Sequence, residues 1–154
     1  MSLLDIMPAM KIAIDQLARE QVPSDNLKYA AALLIGQALT ESGLNPNAIH
    51  DNNTGYGIYG ARLERKDAMW KWLKDNSYPE NSLEGQVRYM VIEAMAKPIC
   101  RQSLLTATSY NQPLGNFILT HFFEAPKIEN LGTRLKNTKK ALLVYELGGV
   151  GSVS

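Results

Sequence analysis

The sequence predicts a mainly α-helical (α+β) single domain carrying one small β-hairpin, and three observations lead there. Apolar residues recur at helical spacing along nearly the whole chain. One segment, Ile49 to Gly60, breaks that period and fills with turn formers between aromatic and β-branched residues. The length, 154 residues, suits one hydrophobic core.

In order along the chain, Met10, Ile14, Leu17 and Ala18 share a helical face and predict a first helix that ends before Pro23. Ser24 or Asp25 is placed to cap a second helix over about 25–42, with Val22 as its outer staple and Gly43 as its stop. Asn45-Pro46-Asn47 marks the turn beyond it, and His50 to Gly60 is read as a small irregular β-hairpin or β-loop. Leu63, Met69, Trp70 and Leu73 mark a third helix ending near Asp75. Asn81, with Glu84 three residues on, has the form of a capping box opening a helix to Lys97, where Pro98 interrupts it. A short helix follows through Leu104 and Leu105. Asn111 and Pro113 open another, carrying Phe117, Ile118, Phe122 and Phe123 to a stop at Ala125-Pro126. Leu131, Leu135, Thr138, Leu142 and Tyr145 space the last helix, and the glycine-rich residues 148–154 are expected to be a flexible tail to a single domain over 1–147.

Composition narrows the class. Hydrophobic residues make up 45% and charged residues 20%, which fits a globular domain and argues against disorder. Sixteen Lys and Arg against fifteen Asp and Glu leave a formal charge of +1, which supplies no field for a nucleic-acid duplex or an anionic membrane. No apolar run nears the roughly 20 residues that span a bilayer. The start lacks the basic residues of a secretory leader and is interrupted by Asp5 and Pro8, so no signal peptide is expected. The one cysteine, Cys100, is expected to be a buried small hydrophobe; alone it can form neither an intramolecular bridge nor a thiolate metal site.

Glu41 is the residue with a chemical reading. On the second helix Leu27, Leu34 and Glu41 are seven apart and lie nearly above one another, flanked by Ala31 and Ala38. A carboxyl at the end of an apolar stripe is partly desolvated, and the helix C-terminus opposes its negative charge. Both favour the protonated form that a glycosidic general acid needs. The plainer alternative is a surface glutamate turned to water at a helix end.

Thr40-Glu41-Ser42-Gly43-Leu44-Asn45-Pro46-Asn47-Ala48, followed by Gly55-Tyr56-Gly57-Ile58, resembles the signature of the lysozyme-like superfamily, and more closely that of the phage tail lysozyme family. Further pieces match in order: Ala68-Met69-Trp70-Lys71-Trp72-Leu73, Leu83-Glu84-Gly85-Gln86 and Phe122-Phe123-Glu124-Ala125-Pro126. The resemblance covers about Leu27 to Pro126. It implies a lysozyme-like fold around a core catalytic helix, with Glu41 as the catalytic acid and Ser42, Tyr56, Gly57 and Ile58 lining a sugar groove. It also implies cleavage of the β-1,4 bond between N-acetylmuramic acid and N-acetylglucosamine in peptidoglycan, by water or, as in lytic transglycosylases, by the muramyl 6-hydroxyl. No cofactor is implied. The implied setting is a phage virion that opens the wall locally during genome delivery, among other tail proteins, after synthesis in the host cytoplasm. The other reading is a catalytically weak structural or wall-binding tail component.

Two carboxylates are candidates for a second role. Asp51 lies in the hairpin, with an Asx-turn acceptor as its alternative; Glu124 lies in the aromatic-Glu-x-Pro piece, as a second carboxylate or as a support that buttresses the groove or Glu41 without performing chemistry, with a helix-end surface residue as its alternative. The chain departs from the family pattern at Tyr59-Gly60-Ala61-Arg62, where relatives carry a glutamine; Tyr59 could offer a stacking face in its place. His121 and Glu124, three apart, have no second set to complete a di-metal site, so no metal is expected. Trp70 is expected in the core; Trp72 points elsewhere and could stack on sugar or be an ordinary surface indole. Lys127, Arg134, Lys136, Lys139 and Lys140 are read as a solvated basic face that could also contact wall polymer or a neighbouring subunit.

Overall fold

The computed structural model describes residues 3–153; Met1 and Ser2 of the apolar start, and Ser154 of the expected tail, lie outside them. Helix α1 (Leu3–Arg19) is followed by a 3-10 turn (Ser24–Asn26) that runs into α2 (Leu27–Ser42). Three two-residue strands come next: β1 (Ile49–His50), β2 (Gly55–Tyr56) and β3 (Ala61–Arg62). Then follow α3 (Glu64–Asp75), α4 (Leu83–Met95), α5 (Pro98–Leu105) and α6 (Gln112–Leu119), which continues as a π-helical turn (Thr120–Glu124), and finally α7 (Leu131–Val153). Mainly α with a small antiparallel sheet is the class expected. Among the described residues no helix is long and apolar enough to cross a membrane.

Helix α2 departs from its expected one-sided stripe. Ten successive residues, Ala30 to Leu39, are buried, and α1, α5, α6 and α7 all pack against it. A helix wetted on one face buries only every third or fourth position, so α2 is the central rod of the fold rather than a wall of it. Its small residues let neighbours come close. A Cβ on Gly36 would lie 2.9 Å from the backbone nitrogen of Thr138, so α2 and α7 meet there backbone to side. On α7 the buried positions are Arg134, Thr138 and Ala141, with Leu142 and Tyr145 half-buried beside them. The backbone continues as helix across Gly148 to Val153, where the glycines led the sequence to predict a tail.

Several helix ends differ from expectation by a residue or two. The side chains of Ser24 and Asp25 sit in the 3-10 turn and do not cap α2; Asn26 precedes it and donates its side-chain amide to Ala107 O at 2.8 Å. Gly43 stops α2 as expected, left-handed at φ 67° with its N–H on Leu39 O. Ser82, not Asn81, caps α4 by accepting the Gly85 N–H at 2.9 Å, and the Glu84 carboxylate instead takes the Tyr78 hydroxyl. Pro98 opens α5 in the first helical turn, where its missing N–H is harmless.

The sheet pairs Ile49 with Tyr56 and Tyr56 with Ala61, and His50 with Gly55 and Gly55 with Arg62. Since side chains alternate along a strand, His50, Gly55 and Arg62 share one face while Ile49, Tyr56 and Ala61 share the other. The turn between β1 and β2 holds Asp51, Asn52 and Asn53 at φ 50°, 57° and 72°, the left-handed region that Asp and Asn tolerate best after glycine. From α4, buried Gln86 secures the sheet: its Oε1 accepts the Ile58 N–H at 2.9 Å, and its Nε2 donates to Pro46 O and Glu80 O. Cys100 is buried, as expected.

Candidate functional site

Glu41 occupies the last turn of α2, its side chain 21% exposed. It opens on a hollow of about 260 Å³. The sheet supplies one wall through His50, Asp51, Gly60 and Arg62; the segment after α6 supplies another through Glu124 to Lys127. Two glutamates far apart in the chain therefore face one space.

Behind Glu41 stands Arg134, whose side chain is 2% exposed. Its Nη2 donates to Glu41 Oε1 at 2.5 Å, its Nη1 to Gln37 Oε1 at 2.5 Å and its Nε to Glu129 O at 2.6 Å. Expected on a solvated basic face, Arg134 is instead the most deeply buried charge of α7, held in by three acceptors that meet its fork. Gln37, one turn before Glu41, contacts Asn116 and Thr120, and Asn116 donates to Thr138 Oγ1 at 3.2 Å. A buried polar network thus ties α2, α6 and α7 together beneath the hollow. A glutamine within the Ala/Leu run of α2 was the available signal, because a buried amide requires polar partners.

Glu124 closes the π-helical turn, which Ala125 ends in a left-handed conformation at φ 46°. Its Oε1 is shut off from solvent and has no hydrogen-bond partner. Burial first, and the charge of Glu41 second, push the carboxyl well above the ordinary glutamate range, against the opposing pull of Arg65 and Arg134. Arg65, from α3, is bonded to Glu93 of α4, and its guanidinium lies 5.0 Å from the Phe123 ring centre.

The remaining expected residues are distributed as follows. Asp51 lines the hollow and pairs with Arg62 at 3.2 Å, while its backbone carbonyl, not its carboxylate, accepts the Thr54 hydroxyl that closes the turn. Ser42 donates its hydroxyl to Ile58 O at 2.6 Å, joining α2 to the sheet region. Tyr56 is on the other sheet face, edge-on to half-buried Trp70 with ring centres 5.5 Å apart. Gly57, Ile58 and Tyr59 are buried, and the Tyr59 hydroxyl donates to Glu93 Oε1 at 2.7 Å. None of these four residues, expected to line a groove with Glu41, is among those that line this hollow. Within the sheet, strand alternation turns His50 and Arg62 to the side of the hollow and Tyr56 to the other, with Gly55 leaving room between them, since a Cβ there would lie 2.9 Å from His50 Cβ. Trp72 stacks on Tyr78, ring centres 5.8 Å apart. His121 contacts Glu129 at 2.6 Å rather than Glu124, and among the described residues no three His, Cys, Asp or Glu side chains gather as a metal site.

A family model described as phage tail lysozyme matches residues 24–145, from the turn before α2 into α7. No curated protein and no solved structure matches.

Proposed function

Because the chain belongs to the phage tail lysozyme family, and is thus a lysozyme-type enzyme acting on peptidoglycan, we propose that it cleaves the β-1,4 bond between N-acetylmuramic acid and N-acetylglucosamine, with Glu41 as general acid, and opens the wall locally from the virion during genome delivery. The observation that carries this reading is the common hollow of Glu41 and Glu124 beneath the sheet wall. Glycoside cleavage needs a proton for the leaving oxygen and a negative group for the charge that builds on the ring or for the attacking water. Glu41 supports the first role by position. Arg134 bonds only its Oε1, and the same guanidinium stabilises the carboxylate that remains once the proton has gone. For the second role the hollow offers Asp51, paired with Arg62 at its exposed edge, and Glu124, whose burial favours the neutral carboxyl and which would have to release its proton to serve.

E41Q preserves shape and removes the acid. It should lower clearing of purified peptidoglycan by roughly 100-fold or more, the usual contribution of a general acid, with the thermal unfolding midpoint near wild type. Full activity in that variant would overturn the assignment. Mass spectrometry of wild-type products divides the two routes, since a 1,6-anhydro end marks transglycosylation and a reducing end marks hydrolysis.

A second reading, a catalytically weak structural or wall-binding tail component, is favoured by Tyr59. That residue stands where relatives carry the hairpin glutamine, and it is spent on Glu93 in the core. Wild-type protein that sediments with sacculi but releases no muropeptide would support it.

A further inference from the structure

We propose that the side of the sheet opposite the Glu41 hollow is a second binding site for peptidoglycan, one that holds a glycan strand by its sugar rings and stem-peptide carboxylates without cutting it. This rests on peptidoglycan being the substrate, and not on Glu41 being the acid.

The sheet is the partition between the two places. His50 and Arg62 face the Glu41 hollow; Ile49 and Tyr56 line a different one, of about 300 Å³, completed by Lys66 and Trp70 of α3 and by Glu80. A larger hollow of about 710 Å³ adjoins it. Trp70 and Glu80 line both, and Lys71, Lys74, Tyr78 and Pro79 line the larger. The shared walls make one groove, which begins behind the sheet and continues along α3.

Its aromatic rings are set in place by the fold. Tyr56 meets Trp70 edge-on. Tyr78 stacks on Trp72 with the planes 15° apart and donates its hydroxyl to Glu84 at 2.9 Å. Gly85 gives that ring room, since a Cβ there would lie 2.8 Å from Tyr78 Cγ. Rigid rings lose little entropy when a ligand settles on them, and their apolar faces suit the C–H faces of sugars. Trp70 carries a further sign: its Nε1 is shut off from solvent and has no acceptor among the described residues. Buried indole N–H groups ordinarily find one, and an acetamide or hydroxyl oxygen in the groove is an acceptor of the right kind.

Charge names the occupant. Lys66 extends its ammonium over the Trp70 ring, 4.9 Å from the centre. Lys71 and Lys74 stand further along the same helix, Lys71 paired with Asp75 at 2.7 Å. Against these three ammonium groups the lining sets one carboxylate, Glu80. Cations beside aromatic rings fit a polymer that is both sugar and carboxylate, and peptidoglycan is one, through its N-acetylhexosamine rings and the free carboxylates of its stem peptides. A neutral glycan would need no lysines, and an acidic peptide no row of ring faces. A strand held behind the sheet keeps its neighbour concentrated in front of it.

Two variants test the two halves of the site. K66E/K74E reverses the charge, and W70L keeps apolar bulk while removing the aromatic face. Each is made in the E41Q background and titrated on ice against sacculi freed of teichoic acid and protein, with sedimentation as the readout. K66E/K74E should weaken binding by about tenfold or more, the scale of two reversed surface charges. W70L should weaken it by about threefold or more, the scale of one lost aromatic contact. In the otherwise wild-type enzyme both should raise the KM for sacculi and leave cleavage of a soluble tetrasaccharide, too short to reach round the sheet, unchanged. Undiminished sacculus binding by K66E/K74E overturns the proposal and leaves the groove to an acidic protein segment. Binding that needs the lysines but is indifferent to W70L overturns it too, since only an anion site then remains. An equal loss of tetrasaccharide cleavage marks a merely structural role and also overturns it. The glycosidase reading fails separately: a fully active E41Q removes Glu41 as the acid and leaves the effect of the groove variants on binding standing.

Discussion

Arg134 donates to a side-chain amide and a carboxylate on α2 and to a backbone carbonyl just before α7. A lysine cannot serve all three, because an ammonium is a point donor on a flexible stem and a guanidinium is a rigid planar fork. R134K should keep the charge, strand at least one buried acceptor and lower stability by about 2–4 kcal/mol, measured by urea unfolding. Clearing activity should fall in the still-folded population as well, since Glu41 loses its fixed direction. Glu41 was legible from its neighbours in sequence, where an acid closes an apolar helix before Gly43 and Asn45-Pro46. Arg134 was not, because one cation in a run of five basic residues looks like a wetted face, and only its acceptors on other segments reveal the burial. Glu124 was legible as a candidate, but its burial, and the partners that Arg65 and Arg134 take beside it, are written in no local motif. Those choices are made in three dimensions.

At the scale of elements, the sheet is too small to stand by itself. Two residues per strand give few ladder bonds, and an isolated hairpin is marginal in water. Gln86 of α4 supplies what is missing through three hydrogen bonds to segments on either side of the turn. Q86L should leave the Ile58 N–H and two carbonyls without partners. The expected loss is about 2–4 kcal/mol, with hydrogen exchange at Ile58 rising before exchange in α2. Helix α3 and the stop at Gly43 were readable because their signals are local: apolar spacing and a left-handed cap. The third strand was not, since Ala61-Arg62 is too short to display a period of two. The lining of the hollow by His50 and Arg62 met the same limit. Which strand face meets the acid is set by the register with β1 and β3, not by any motif.

Across the whole molecule, α2 is sheathed by α1, α5, α6 and α7, and its packing distance from α7 is set by Gly36 against Thr138. Glycine is otherwise a poor helix residue, less favourable than alanine by about 1 kcal/mol, so its presence here answers to packing. G36V should push α7 outward and destabilise the fold by about 2–3 kcal/mol, the scale of overpacking a dense core, read as a lower midpoint in thermal unfolding. Because α7 carries Arg134, the same shift should weaken clearing below the midpoint. The one-sided stripe expected for α2 fails at this scale. Periodicity reports a helix with a wet face, and a central helix has none.

The separation of 93 positions between Glu41 and Arg134 also orders events during synthesis. A nascent chain that has emerged only as far as the sheet already contains the glutamate, but the arm that steadies it is still untranslated. The pairing of Glu41 with Arg134 therefore forms late, when the seventh helix has left the ribosome and settled into place.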